Sequence, residues 1–580
     1  MDMKIEKIAI ENYRSIKKFD LVPNKGLNVF IGENSVGKTN IFNAINWLLG
    51  PSYPSFNSMT DLDHWQGDPE NRVRIRLDYD DNEYLELAES WQDSYRNQKS
   101  GLNLSGGYIK GEDREKYSSA YLGVDREIQD YLPSNKWSLL GRILQQMNEA
   151  FLKETMEVNG VLKSKKDVLK ERLEGIRDDI LFSVGRTSPS SRDGHMDKFL
   201  KVLQTESARQ LNKSPDEFSI DLSMYDPWNF YRTLQLLVNE VEMDMQFQAS
   251  TLGMGVQASI TIAVLKAYAS LHLPNKTPIF LDEPELFLHP QAQRNFYNML
   301  REMTEDEVDP LSGEVVNEGL QIFYTTHSPN FLRTDHFDEI HLIRKDKDEG
   351  TYCKTATVKD FVDDLGIRIG ITSDEESVLL HFKNAYENTG DSQKANEAFF
   401  AKKIILVEGQ SEILALPYFF DLVGFDHIRE GISIVRCGNK GEIDRFFRLY
   451  NEFGIPCYVI FDGDKQHVGT KDETKTKDKN KAILGIFGAS ANWPDGTVHD
   501  RYLGFEKEFE NHLGFVTAKK GIQLFIEIKE NITKKVQVPA WVNDLVTQIS
   551  GLSTPLPSIL KDGMSSVTPD DEIMLEDIPF

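Results

Sequence analysis

Two stretches of the chain bring together residue types that do chemistry at a fixed spacing. The first is Gly32 to Thr39, GENSVGKT, which matches G-x-x-x-x-G-K-[ST] at every fixed position. Across Gly32, Asn34 and Gly37 the glycines let successive backbone N–H groups curl toward a phosphate. Lys38 adds a charge for the terminal phosphates, and the Thr39 hydroxyl is a ligand for Mg²⁺. ATP with Mg²⁺ is the expected cofactor. The second is an ordered set of acids, Glu408, Glu412, Asp462 and Asp464. Four converging carboxylates cannot all stay ionised and unpaired, because repulsion and desolvation raise their pKa values. Divalent cations relieve this, and oxygen-only ligands select Mg²⁺, Mn²⁺ or Ca²⁺ over zinc.

Both sets need particular elements to hold them. The apolar run Leu27, Val29, Phe30, Ile31 reads as a buried strand into the loop, and Ile41, Phe42, Ala44, Ile45, Leu48 and Leu49 as the helix after it, aiming its positive end at the anion. PIFLDEPELFLHP, Pro278 to Pro290, reads as a central strand ending in Asp282 and Glu283. Asp282 is placed to hold the Mg²⁺ water shell and Glu283 to polarise an attacking water. LQIFYTTHSP, Leu320 to Pro329, gives a further apolar strand, ending at His327. Later, KKIILVEG (Lys402 to Gly409), ISIVRCG (Ile432 to Gly438) and IPCYVIFDGD (Ile455 to Asp464) follow at βαβ spacing. Parallel strands put their carboxyl ends on one sheet edge, so Glu408, Asp462 and Asp464 are expected to meet there, with Glu412 one helical turn away.

Length and charge bound what this machinery can serve. With 580 residues the chain should divide into two to four domains. A net charge of -26 excludes nonspecific, whole-surface attraction to nucleic acid or an anionic membrane, so a phosphate-bearing partner must meet a local basic patch or metal ions held by carboxylates. Cys353, Cys437 and Cys457 form neither a disulfide framework nor a zinc pattern, which fits a reducing cytoplasm. No apolar run approaches a membrane span, so a soluble intracellular protein is expected.

Between these landmarks the pattern varies. Lys4 to Asp20 alternates as an antiparallel strand pair would, RVRIRLDY (Arg72 to Tyr79) reads as a half-exposed strand, and Glu83 to Leu87 as a weaker one. From Leu139 to Asn212 the period turns helical, with Leu169, Leu173, Ile176 and Ile180 on one stripe. A dimerisation arm is expected there, with a packed helical subdomain as the alternative, and the segment is too short for a long coiled coil. Glu387 to Lys394 reads as a linker or loop. The lysine-rich stretch Lys465 to Lys481, with Lys471, Lys475, Lys477 and Lys479, reads as a loop that either grips a DNA backbone or is simply solvated. The acidic final segment reads as a tail.

IENYRSIKKFDL leading into the phosphate loop resembles the opening of the SMC-like ATPase heads within the ABC superfamily. That resemblance makes Arg14 the arginine that approaches the nucleotide phosphates, fits Asn40, and makes His327 the switch histidine. It also places His289 in the turn at the dimer interface. Gly253 and Gly255 take the place of the signature segment, although L-G-M-G-V-Q replaces the usual L-S-G-G-Q and Ser250 stands two residues before Leu252. Because that segment binds nucleotide across subunits in the superfamily, a homodimer or dimer of dimers is implied.

The pattern E-G-x-x-E, then G, then D-x-D resembles the Toprim domain of topoisomerases, primases and certain nucleases. It implies Glu408 as general acid/base and metal ligand, Asp462 and Asp464 as metal ligands, and Glu508 or Glu510 as the extra downstream ligand of two-metal nucleases. A downstream lysine assists in that family, with Lys519, Lys520 and Lys561 as candidates. An SMC-like head followed by Toprim resembles the OLD (overcoming lysogenisation defect) family of ATPase-nucleases, which includes the nuclease subunit of the Gabija antiphage system. The fold class implied is α/β: an ATPase in two halves (1–138 and 216–385), a helical insertion at 139–215, and a Toprim domain with C-terminal extension at 396–580. The function implied is an ATP-regulated, metal-dependent DNA endonuclease or nickase in antiphage defence, with a helicase-like partner possible. Two other readings stay open: a Toprim topoisomerase or primase, and a noncatalytic ATP-gated scaffold for a helicase.

Overall fold

In the computed structural model the described residues are 4–50, 59–79, 83–89, 101–109, 119–123, 151–176, 201–206, 237–240, 245–248, 252–270, 278–310, 312–369, 373–514 and 519–557, with a few single residues between them. The chain divides into a unit formed by Ala120–Lys276 and one formed by Asp2–Ser119 with Thr277–Phe580.

In the larger unit the alternating N-terminal segment forms the expected antiparallel pair, β1 (Ile5–Tyr13) and β2 (Ile16–Leu21). Arg14 makes the turn between them in the left-handed region, at φ 50. There follow β3 (Leu27–Ile31), α1 (Lys38–Leu49), β4 (Arg74–Tyr79), β5 (Tyr84–Ala88), β6 (Gly101–Leu104) and β7 (Gly107–Tyr108). After the smaller unit come β8 (Ile279–Leu281), α2 (Pro290–Thr304), β9 (Ile322–Thr325), β10 (Ile340–Asp346) and β11 (Gly350–Lys354). These strands run in the sheet order β7-β6-β5-β4-β1-β2-β11-β10-β3-β9-β8. The β1–β7 edge is antiparallel, whereas β10, β3, β9 and β8 are mutually parallel. Every residue of β3, β8 and β9 is buried, the two-faced burial that parallel strands under covering helices require. Because they are parallel, all three deliver their following residues to one edge.

Three helices lead onward: α3 (Val358–Ile369), α4 (Glu375–Asn388) and α5 (Ser392–Glu397). The stretch Glu387–Lys394, expected as a linker or loop, is a short turn at 389–391 between the end of α4 and the start of α5. The Asp391 carboxylate caps α5 by accepting from the Lys394 N–H, and Gly390 at φ +67 supplies the turn. The polar composition of that stretch is capping chemistry between two helices.

The C-terminal sheet is wholly parallel, in the order β13-β12-β14-β15, built from β12 (Lys403–Val407), α6 (Gln410–Val423), β13 (Ile432–Arg436), α7 (Lys440–Glu452), β14 (Cys457–Asp462), α8 (Glu473–Ile486) and β15 (Tyr502–Phe505). Ile405, Val407, Ile432, Ile434, Tyr458, Ile460, Leu503 and Phe505 alternate onto one face. There they bury against α6, α10 (Ile522–Asn531) and α11 (Ala540–Gly551), reached through the short α9 (Phe509–His512). The other face packs on α7, which is buried from Lys440 to Asn451. The lysine-rich stretch read as a loop forms α8 over most of its length, since Asn480, Ile483 and Leu484 give it a narrow buried stripe among the charges.

In the smaller unit, Thr155–Val158 and Val161–Ser164 form a hairpin ahead of the helix Lys165–Ile176. The helical expectation for 139–215 therefore holds only in part. Asn159 and Gly160, at φ 52 and +79, make the two-residue turn that an Asn-Gly pair favours. Val168 and Leu173 are buried, and Ile180 lies outside the described residues. The strands Leu237–Glu240 and Met245–Gln248 pair, and the helix Met254–Ser270 begins directly after Gly253. Among the described residues no helix is long and apolar enough to cross a membrane.

Candidate functional site

The loop between β3 and α1 has the geometry its glycines predict. Gly32 and Gly37 lie at φ +146 and +110. A Cβ at Gly32 would sit 2.3 Å from the Ile343 carbonyl oxygen, and one at Gly37 2.3 Å from Thr351 Oγ1. The Lys38 ammonium turns into the loop, donating to the Gly32 and Glu33 carbonyls at 2.9 and 3.0 Å. Burial holds its pKa below the usual lysine value, against the opposing pull of Glu283, Asp282 and Glu285. Asn40 Nδ2 donates to Ser15 Oγ at 2.8 Å, and Ser15 Oγ meets Thr351 Oγ1 at 2.8 Å, so the hairpin turn and β11 brace the start of α1. Arg14 Nε pairs with Asp63 Oδ1 at 2.9 Å. Thr39 and Asn34 are exposed.

At the same sheet edge, Asp282 is 2% exposed and bonded to the Thr325 hydroxyl, while Glu283 takes a left-handed backbone at φ 48. His327 Nε2 stands 3.6 Å from Glu283 Oε1, and the His327 N–H donates to Glu285 Oε1 at 2.7 Å. Burial and the nearby Lys38 lower the His327 pKa, which leaves it a neutral imidazole near pH 7. The donor set fits a nucleotide phosphate: backbone curled by obligatory glycines, an ammonium that among the described residues bonds loop carbonyls, and an Asp–Glu pair beside it. His289 stands at the N-terminal boundary of α2 without a side-chain capping bond and is exposed. In the smaller unit Gly253, Met254, Gly255 and Val256 are all exposed at the head of their helix.

The acidic cluster forms where β12 and β14 end side by side. The Asp462 N–H donates to Glu408 Oε2 at 3.3 Å. Glu412, in the first turn of α6, is 3% exposed, and a Cβ at Gly409 would stand 3.1 Å from its Oε2. Between the two aspartates, a Cβ on Gly463 would meet the Phe505 and Glu506 carbonyl oxygens at 2.4 and 2.7 Å, so only glycine fits. Asp464 then adopts φ 55, a conformation aspartate tolerates better than most residues. Its Oδ2 accepts from Lys440 Nζ at 2.6 Å. The Phe509 N–H donates to Asp462 Oδ1 at 2.8 Å, and Ser411 Oγ donates to the buried Glu510 at 2.9 Å.

Burial pushes the Glu408 and Glu412 carboxyls up to about 7; Asp464 adds to the effect at Glu408, and Glu408 and Glu510 add to it at Glu412. Asp462 is raised well above the carboxylate range, by burial first and then by Glu412, Glu408, Asp464 and Glu510. The donor set suits a hard divalent cation by its chemistry: oxygen ligands only, with more negative charge than the nearby ammonium groups of Lys440 and Lys479 offset. Among the described residues no three acidic, histidine or cysteine side chains stand ready-made around one cation position, so closing on an ion requires side-chain rotation.

Of the two downstream acids, Glu510 faces the cluster, whereas Glu508 pairs with Lys520 at 2.8 Å. Lys519 reaches Glu527 at 3.4 Å, and Lys561 and Ser250 lie outside the described residues. Sequence reasoning missed Glu285, Ser15, Ser411 and Lys440. For Glu285 the second glutamate of DEPE was a signal; the others carry none in sequence, since only the fold brings them to these sites.

Known families match both regions. One described as AAA ATPase domain matches residues 3–105 and 58–332, and one described as overcoming lysogenization defect protein-like, TOPRIM domain matches residues 399–464. The OLD nuclease of Thermus scotoductus is 25% identical, over 82% of this chain and 85% of its own. The Old nuclease of Escherichia phage P2 is 22% identical, over 80% and 78%. Endonuclease GajA of Bacillus cereus is 22% identical, over 84% and 78%.

Proposed function

The chain belongs to the AAA ATPase domain family and carries an OLD-like TOPRIM domain after it, and from this we propose that it is an ATP-regulated, divalent-metal-dependent DNA endonuclease or nickase acting in antiphage defence. The observation that carries the reading is the meeting of Glu408 and Asp462 across adjacent parallel strands, with Glu412, Asp464 and Glu510 gathered around them. These residues would hold the cations, which when bound supply Lewis-acid activation of water and charge neutralisation at the phosphodiester. Glu408, whose carboxylate accepts from the Asp462 N–H at the strand ends, would also take up and return a proton during the reaction. The Phe509 N–H fixes Asp462, and Lys440 fixes Asp464. On α8, Lys479 lies within electrostatic reach of Glu408 and Lys475 lies near Lys479, so this helix would offer a local grip for a DNA backbone on an otherwise acidic molecule.

In the head, Gly32, Asn34, Gly37, Lys38, Thr39 and Asn40 would hold the nucleotide, with Asp282 and Thr39 toward its Mg²⁺ and Glu283 and His327 toward the attacking water. Gly253 and Gly255 would complete the site of a second copy, which makes the working form a homodimer or dimer of dimers, with a helicase-like protein as a candidate partner. Incubation of supercoiled plasmid with the full chain and Mg²⁺ or Mn²⁺, with and without ATP, tests the reading. Nicked or linear product that depends on the metal and responds to ATP is expected. Relaxed closed circles, or no change under any divalent ion, overturn it.

A further inference from the structure

The acids are accompanied by a buried ammonium, that of Lys440. Lys440 is the first residue of α7 and is only 4% exposed, with its Nζ 2.6 Å from Asp464 Oδ2. A buried ammonium costs several kcal/mol unless it is paired, so the contact is obligatory for both groups. Its aim is set from outside the cluster. The Asn439 side chain caps α7 by accepting from the Gly441 and Glu442 N–H groups. Further along α7, Arg448 is buried against Asp444 and Asp364, and the Tyr450 hydroxyl donates to the Ala395 carbonyl. The other Asp464 oxygen accepts from Gln466 Nε2 at 2.9 Å. Both oxygens of this carboxylate therefore already have donors, and a cation arriving there must take Oδ2 from the ammonium or share it.

We propose that Lys440 is a tethered counter-cation of the metal centre: it holds Asp464 in place while no divalent ion is bound and competes for Oδ2 when one arrives, thereby setting how tightly the second cation binds. It is a positioning residue, and the proposal rests on the reading of the carboxylate cluster as a divalent-metal site. Two like charges a few ångströms apart in a half-buried site repel strongly enough to cost a cation at least tenfold in affinity.

Mn²⁺ binding to the full chain, measured by calorimetry without DNA, tests this. Lys440→Met is expected to tighten the weaker Mn²⁺ event by about tenfold or more, while Lys440→Arg, which keeps the charge, stays within about threefold of wild type. In an Asp464→Asn background most of the gain from Lys440→Met should disappear, because the competition is gone. Should Lys440→Met fold poorly, Lys440→Gln serves in its place, with a larger Mn²⁺-induced rise in Tm than wild type as the readout. A Lys440→Met or Lys440→Gln protein that binds Mn²⁺ no more tightly than wild type, or more weakly, overturns the proposal. A wild-type chain that takes up no Mn²⁺ overturns the metal-site reading itself.

Discussion

In the proposed function Asp462 and Lys38 divide the two chemistries of the chain between single side chains. Asp462 lies among Glu408, Glu412, Asp464 and Glu510, and Lys38 bonds the Gly32 and Glu33 carbonyls. Asp462→Ala is accordingly expected to abolish plasmid cleavage while leaving ATP binding unchanged, whereas Lys38→Ala should remove ATP hydrolysis; metal-dependent cleavage by purified Asp462→Ala would refute the assignment. The raised carboxyls also fix the sign of a pH effect. With Glu408 and Glu412 moved from 4.5 to about 7, the metal-free fold binds protons that the unfolded chain has already released. Their contribution to stability is therefore complete below about 4.5 and is lost as pH rises through 7. In EDTA, Tm should fall from pH 5 to pH 8 more steeply for wild type than for Glu412→Gln, and equal slopes would contradict this. Glu408, Asp462 and Asp464 could be found in the sequence because strand-end acids at βαβ spacing advertise themselves. Lys440 could not, because Asn-Lys-Gly-Glu carries no motif and its meaning lies in where α7 points.

Elements carry the precision that these side chains need. Gly463 lets β14 pass from Asp462 to Asp464 against the Phe505 and Glu506 carbonyls, and no other residue fits that gap. Gly463→Ala is expected to cost about 2 kcal/mol of stability by overpacking and to weaken Mn²⁺ binding by displacing Asp464, as read by denaturant unfolding and calorimetry on one preparation. Unchanged values in both would mean the turn is not what sets Asp464. Long apolar runs such as those of β3, β12 and β14 were legible, since burial on both faces leaves little else for such sequences to be. Shorter or mixed elements were not. The β15 strand is four residues long, the stripe of α8 is masked by lysines, and the Asn-Gly hairpin at 159–160 interrupts a segment whose leucine spacing reads as helical.

The molecule as a whole combines a head whose parallel strands converge on a phosphate loop with a second parallel sheet whose strand ends gather acids. Within the larger unit the two are tied by buried polar contacts. Asn396 donates to the Leu332 carbonyl just beyond the His327 turn, and neighbouring Ala395 accepts from Tyr450 on α7, whose first residue is Lys440. If ATP is held between two copies, Glu283→Gln, which keeps the nucleotide site but lacks the carboxylate proposed to polarise water, should accumulate as an ATP-bound dimer in light scattering; a monomer mass with saturating ATP would count against the shared site. Cation binding at the β12–β14 edge is what the proposed function requires first. Anomalous diffraction from crystals of the full chain soaked in Mn²⁺ is predicted to show density between Glu408, Asp462 and Asp464, and occupied Mn²⁺ sites elsewhere with none at this sheet edge would contradict it.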